Sequence, residues 1–277
     1  MSTQAVLSRS RGFALGRIGT FVVLIVATAL TLGPVIWTVI TALTPSDAVT
    51  HTTSFGFGAF TDVFTKIPVW LYIWNSVLVT LLIATGQMLS AAMAGYVFAR
   101  YEFRAKKLLF GLILATMMVP LQVIIVPVFM LVRGMGVADT LLALIIPALP
   151  TAFGTFLMRQ YFLGLPVELG EAAQIDGSGP WRTFFRIYLP LATPGLAIVG
   201  ILAFNYHWNE FFRPLILTIS EQNFTLPLGL VTLQGNLGTG SVSTVLAGVV
   251  ISMIPALIVF VFGQKPLREG LTAGTGK

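Results

Sequence analysis

The chain has 277 residues, is 56% hydrophobic and only 9% charged, and carries a formal net charge of +6. Soluble domains carry roughly 25% charged residues, so this chain lacks the polar surface to cover a globule in water, and lipid is its expected solvent. It contains no cysteine, which excludes disulfide scaffolds and thiolate metal sites. Its basic residues are scattered between apolar runs, which argues against a nucleic-acid surface.

Residues 1–17 are polar, with Arg9, Arg11 and Arg17 and no acid. Apolar runs then predict spans at about 18–43, 70–98, 108–132, 141–158, 191–219 and 242–262, each near or above the roughly 20 residues needed to cross hydrocarbon. Ala27-Thr28-Ala29 imitates a signal-peptide cleavage site, but the apolar run continues well past it. The intervening stretches 44–69, 133–140 and 220–241 read as loops on one side. With the N-terminus in the cytoplasm, thirteen basic residues fall on that side and three, Lys66, Arg133 and Arg213, on the other. The positive-inside rule then sets the orientation, with both termini cytoplasmic. The expected fold is all-α, a polytopic membrane protein of six transmembrane helices in one domain.

Residues 163–190, LGLPVELGEAAQIDGSGPWRTFFRIYLP, are too polar to span. Pro166 suits a helical first turn, and Glu168 and Glu171 favour the positive end of its dipole. Gly177 suits the left-handed position that ends a helix. Ser178 is placed to cap a second helix, with Pro180 in its first turn. Trp181, Phe184, Phe185 and Tyr188 form a stripe at helical spacing opposite Arg182 and Arg186. The expectation is a helix–turn–helix elbow outside the lipid. Ala172 and Ala173 would offer a partner a small-residue surface. An ordinary amphipathic linker fits the same pattern.

One polar cluster interrupts the fifth span: Asn205, Tyr206, His207, Trp208, Asn209 and Glu210. It suits a partner helix or a water-filled path, since unpaired polar groups in lipid cost several kcal/mol, on the order of a lost hydrogen bond or more. Aromatic rings beside amides and a carboxylate suit a sugar; an interfacial aromatic belt is the other reading. Apart from Glu210, no acid lies mid-span, so an ion-driven carrier is poorly supported. His51 and His207 do not suggest a metal site, and no nucleophile–base pair marks a catalytic centre. The tail Ala273-Gly274-Thr275-Gly276-Lys277 only superficially imitates a phosphate loop.

Glu171-Ala172-Ala173, then Gly177, then Ile187-x-Leu189-Pro190 matches the EAA loop of ABC-importer permeases at every fixed position. The chain therefore resembles the membrane subunit of a binding-protein-dependent importer with the type I permease fold. Trp208-Asn209-x-Phe211-x-x-Pro214, Met117-Met118-Val119-Pro120-Leu121-Gln122, Phe156-Leu157-x-Arg159-Gln160 and Leu271-Thr272-Ala273-Gly274 are similar to the second, maltose-type permease of the sugar-importing subfamily. That resemblance implies a cytoplasmic coupling loop at 163–190 acting through Glu171, Ala172, Ala173, Asp176, Gly177, Ile187, Leu189 and Pro190. It implies a translocation path near Asn205, Trp208, Asn209, Glu210 and Gln122, and tail contacts from Leu271, Thr272, Ala273 and Gly274 to ATPase subunits. It also implies a homologous second permease, two ATPase subunits holding ATP and magnesium, an extracytoplasmic solute-binding protein, and a place in the bacterial cytoplasmic membrane. This chain itself would bind no cofactor or nucleic acid. A non-sugar solute, a carrier working alone and a membrane scaffold or sensor are the alternatives.

Overall fold

The structure is a computed structural model that describes residues 4–44, 55–235 and 240–273, with side chains over 19–44, 55–235 and 240–264. Among the described residues every regular element is helical. The single domain expected from the sequence is divided by its contacts into two units: the chain up to Lys66 with Leu233–Ile251, and Ile67–Thr232 with Ser252 onward.

In the first unit, α1 (Gln4–Leu43) is apolar around its circumference from Gly19 to Leu43, the pattern of a helix solvated by lipid. Its hydroxyls turn inward to the helix's own carbonyls: Thr31 Oγ1 donates to Ala27 O and Thr38 Oγ1 to Pro34 O, both at 2.8 Å. That local bond removes the cost of a hydroxyl in hydrocarbon. Part of the predicted loop 44–69 is instead a helix, α2 (Gly58–Lys66). Its apolar face is Ala59 and Val63, one turn apart and both buried. His51 lies outside the described residues.

The second unit is built on α3 (Val69–Arg100), 32 residues without a proline, about 48 Å long at helical rise. The third predicted span, 108–132, is broken into α4 (Lys106–Thr116) and α5 (Leu121–Gly134), bent by 102°. Pro120 caps α5 in an extended conformation, and a proline drives its predecessor out of the helical region. The fourth span combines α6 (Leu141–Ile145), a 3-10 turn (Ile146–Ala148) and α7 (Ala152–Leu163), bent by 41° where Pro147 and Pro150 interrupt the backbone ladder. Thr151 Oγ1 caps α7 by accepting from Gly154 N at 3.1 Å. The α7 helix packs on α3 so closely that a Cβ at Gly95 would lie 2.8 Å from Arg159 N.

Beyond α7 come α8 (Glu168–Ile175), α9 (Pro180–Thr183), a π-helical turn (Phe184–Tyr188) and α10 (Leu189–Leu191), then α11 (Thr193–Trp208). The segment Pro180–Leu191 meets α11 at 74°. The sequence predicts a fifth span from 191 to 219, but its helix stops at Trp208. Asn209–Phe211 separate it from α12 (Phe212–Leu217). The chain ends in α13 (Leu226–Val231) and α14 (Val242–Ala273). Three straight helices, Gly19–Leu43, Val69–Arg100 and Val242–Gln264, are long and apolar enough to cross a membrane, and the three bent pairs raise that to as many as six. This is a helical membrane-spanning fold of the expected class.

Arg213 requires one correction. The charge count assigns it to the outer side, at the far end of the fifth predicted span, but it is 5% exposed, paired with Glu210 inside the unit. The outer side then retains Lys66 and Arg133, and the charge asymmetry sharpens.

Asp139, in the loop after α5, clips that loop to the chain beyond α12. Its Oδ1 accepts from Ile219 N at 2.8 Å and Ser220 N at 2.9 Å, and its Oδ2 from Ser220 Oγ at 2.5 Å. The Ser220 hydroxyl above all, with these amides, pulls the Asp139 carboxyl down to about 2. A depressed carboxyl stabilises the fold above its unfolded value and loses that contribution as pH falls toward about 2. Asp139→Ala should therefore lower the melting temperature of the purified protein. The gap from the parent should stay constant between about pH 8 and pH 5, as measured by intrinsic fluorescence.

Candidate functional site: the elbow and the mid-span polar cluster

The elbow of residues 163–190 is formed as expected in its first half and differently in its second. The α8 helix carries Glu168 and Glu171 in its first turn, where the dipole favours acids. It ends in a Schellman motif: Ser178 N donates to Ala173 O at 2.8 Å and Gly177 N to Gln174 O at 3.0 Å. Gly177 stands at φ +74°, and a Cβ added there would meet nothing within 4 Å, so backbone conformation and not space dictates glycine. Asp176 at the C-cap is exposed. Ser178 makes no cap; Gly179 occupies that position, with Pro180 in the first turn of α9.

Two expectations about surfaces change. Ala172 is exposed, but Ala173 is only 4% exposed and faces inward. The outward face of α8 is Glu171, Ala172 and Ile175, the last 86% exposed. The aromatic stripe is also divided. Trp181 and Phe185 are exposed and stacked at 6.0 Å, whereas Phe184 and Tyr188 are buried. The π-helical turn rotates this second pair onto α3, where Tyr96 meets Phe184 at 5.0 Å, Tyr188 at 5.1 Å and Phe162 at 5.6 Å. Ile187 and Leu189 are half-buried beside them, and Pro190 is exposed.

Arg100, the last residue of α3, ties the elbow's two ends together. Its Nη2 donates to Phe162 O at 2.6 Å and to Leu165 O at 2.7 Å, the carbonyls where α7 runs out. Its guanidinium also lies 4.8 Å from the Tyr188 ring centroid. Entry and exit of the elbow are thus both held by one side chain of the long helix. Sequence reasoning reads Arg100 only as a topology signal; its role depends on which carbonyls at the end of α7 come within its reach, which no local pattern states.

Deeper in the same unit lies the polar cluster of α11, and it is arranged differently from the expectation. Trp208 is 1% exposed, stacked on Phe204 at 5.7 Å, with Nε1 donating to Ser252 O at 2.9 Å. It is an internal packing residue, not a surface for solute. Asn205 and Asn209 are exposed, and Asn209 Nδ2 donates back to Asn205 O at 2.8 Å. Gln122 is exposed on the first turn of α5, with no hydrogen bond to described members of the cluster. Glu210 accepts from His207 Nδ1 at 2.8 Å and from Arg213 Nη2. Gln87 of α3 donates its amide N–H to Ala148 O at 2.8 Å, and its Nε2 lies 3.0 Å from His207 Nε2. Arg213 Nη2 also lies 3.0 Å from His207 Nδ1, so the imidazole is held between Gln87 on one edge and Glu210 and Arg213 on the other. Glu210 Oε1 and Arg213 Nε are buried without a hydrogen-bond partner. Gln87, Thr151, Asn205, Tyr206 and His207 line a cleft of about 540 Å³. Sequence reasoning passes over Gln87, although an amide midway along an apolar span is itself a signal.

Among the described residues no three carboxylate or imidazole groups converge on a metal-sized site. Leu271–Ala273 complete the backbone of α14 without described side chains, and Gly274 lies outside the described residues.

A bent-helix membrane bundle, carrying an exposed elbow at one end and a polar cleft within, defines a membrane-transport subunit. Residues 88–265 match the family described as binding-protein-dependent transport system inner membrane component, and the chain belongs to that family. It is 38% identical over 78% of its length, and 77% of the relative's, to the arabinooligosaccharides transport system permease protein AraQ of Halalkalibacterium halodurans. It is 32% identical to the lactose transport system permease protein LacG of Rhizobium radiobacter, over 90% of this chain and 92% of that one. The sn-glycerol-3-phosphate transport system permease protein UgpE of Salmonella choleraesuis is 32% identical over 74% and 73%. A chain from the crystal structure of a bacterial ABC transporter involved in the import of the acidic polysaccharide alginate superposes with a TM-score of 0.80, at 25% identity, over 92% of this chain and 97% of that chain.

Removing the Arg100 clamp should loosen the elbow before anything else. Hydrogen bonds to a charged group contribute about 1.5–3 kcal/mol. Arg100→Met should therefore speed amide hydrogen exchange across residues 163–175 about tenfold or more, with α3 and α11 unchanged. Exchange mass spectrometry of the purified protein checks this.

Proposed function

We propose that this chain is one of two permease subunits of an ATP-driven importer, and that it translocates a carbohydrate delivered by an extracytoplasmic solute-binding protein. The observation that carries the reading is the elbow: a short helix exposing Glu171, Ala172 and Ile175, with its base held on α3 by Arg100 and the Tyr96 aromatic cluster. The family's dependence on a binding protein supports an external partner. AraQ and LacG, named for oligosaccharide and lactose transport, support a sugar. The cleft lined by Gln87, Asn205, Tyr206 and His207 offers amides and a ring of the kind that binds hydroxyls and pyranose faces. A polyol phosphate is the second reading, favoured by the similarity to UgpE.

The mechanism follows from stiffness. Two ATPase subunits on the cytoplasmic side hold ATP and magnesium and receive the outward face of α8. Their closure on ATP moves each elbow. Because the elbow is fastened to α3, the displacement passes up that helix to Gln87 and across to His207. The break at Asn209–Phe211 lets the lower part of the fifth span swing while α12 stays anchored. A hydroxylated solute or water in the cleft would supply partners for the buried polar atoms of Glu210 and Arg213. ATP hydrolysis belongs to the partner subunits, and the setting is the bacterial cytoplasmic membrane. Leu271, Thr272, Ala273 and Gly274 are assigned to contacts with the same ATPases on the family resemblance of their sequence alone.

The bend at Gly177 tests the coupling role. Gly177→Val places a branched residue in the left-handed region at a cost of about 1–2 kcal/mol. It should insert and assemble, yet lose most solute-stimulated ATPase activity and uptake in proteoliposomes. Gly177→Asn, which visits that region readily, should retain both. Full stimulation in Gly177→Val would contradict the role.

A further inference from the structure

The corner between α3 and α4 holds a second, unrelated site. The chain turns there at Ala105, in the left-handed region at φ 63°, and sets Lys106 and Lys107 at the head of α4. Between this corner and α7 lies a cleft of about 690 Å³ lined by Lys106, Lys107, Arg159, Phe103, Leu108 and Phe110, with Glu102 also on its wall. The three cations are not equivalent. Lys106 is committed to Glu102 at 2.8 Å, and that bond holds the Glu102 carboxyl below its usual range. Arg159 is half committed: its Nε donates to Phe98 O at 3.2 Å and its guanidinium lies 4.4 Å from the Phe110 centroid. Its Nη groups have no acceptor among the described residues. Lys107 has no hydrogen bond or ion pair there either.

One uncommitted cation, Lys107, and the free Nη groups of Arg159 stand beside the Lys106–Glu102 pair, giving three cations to one carboxylate and room for one more anion. Its other wall is apolar and continues into α4, where Leu108 is 64% and Leu112 55% exposed. A free inorganic anion would satisfy the cations and leave that wall bare. A phospholipid covers both. Its phosphate would meet Lys107 and the Arg159 Nη groups, and its glycerol and first acyl carbons would lie along Phe103 and Leu108. The level also fits, since this corner follows the end of the α3 span on the side where the positive charges gather. A zwitterionic headgroup brings its own cation and gains little from two more, so the charge favours an anionic lipid.

We infer that the α3–α4 corner is a binding site for the phosphate headgroup of an anionic phospholipid of the cytoplasmic leaflet, held by Lys107 and Arg159. The inference is independent of which solute the protein carries.

Native mass spectrometry of the purified transporter assembly tests it, with phosphatidylglycerol, phosphatidylcholine or inorganic phosphate added. The parent should retain phosphatidylglycerol in preference to phosphatidylcholine. Lys107→Gln should weaken that retention about fivefold, the equivalent of about 1 kcal/mol per basic residue near a membrane surface. Lys107→Gln with Arg159→Gln should bring it to the phosphatidylcholine level. Because Arg159 also packs on Phe110, the single Lys107→Gln variant separates loss of charge from loss of fold. Equal retention of the two lipids, a preference untouched by Lys107→Gln, or capture of inorganic phosphate without preference for phosphatidylglycerol would each overturn the proposal.

Discussion

Arg100 makes two short hydrogen bonds to the carbonyls at the end of α7 and lies over the ring of Tyr188; much of the elbow's geometry depends on those commitments. Carbonyls at a helix end lack their full intrahelical pairing, and here two of them, Phe162 O and Leu165 O, receive a charged donor. The same guanidinium attracts the electron-rich face of a tyrosine that enters from the far side of the elbow. Around it, Tyr96, Phe162, Phe184 and Tyr188 close a buried aromatic cluster. Each interaction is modest, about 1–3 kcal/mol. Together they join two chain segments separated by the whole elbow to one turn of α3. A lever transmits force only if its base does not yield, and this base is packed, charged and multiply bonded.

The cluster of Gln87, His207, Glu210 and Arg213 faces the opposite problem. Ionised groups at membrane depth are costly, and breaking a buried pair costs more than forming one returns. Here Glu210 is neutralised by Arg213 and contacted by His207, while Gln87 reaches the other edge of the imidazole from a different helix. The helix ends just before Glu210 and Arg213, at Trp208 with Asn209 as its C-cap, so the charged pair sits at a discontinuity. Irregular backbone at this depth is tolerated where it is enclosed by protein or lines a cavity, and a polar cleft lies beside it.

Much of this architecture is legible in the sequence, and the failures share a physical cause. Long apolar runs and charge asymmetry locate the membrane-crossing helices because hydrocarbon thickness fixes their length. Gly177 is legible because left-handed backbone leaves few residue choices. What cannot be read are the consequences of packing. Trp208 looks like a solute platform, but its ring is spent inside the unit. Ala173 looks exposed and faces inward. The π-helical turn at Phe184–Tyr188 shifts the aromatic phase by part of a turn, so a stripe drawn at 3.6-residue spacing mixes buried and exposed rings. Arg100 and Arg213 count as topology charges because composition does not say which carbonyl or carboxylate a cation will meet.

The central claim is that the elbow and α3 move as one body. The chain has no cysteine, so spin labels can be introduced at two chosen sites alone. Gln174 on α8 and Met93 on α3 are both exposed. Electron–electron double resonance between them should give the same distance distribution in the nucleotide-free and ATP-trapped transporter. A separation that changes with nucleotide would mean the elbow hinges at its base, and would contradict the account.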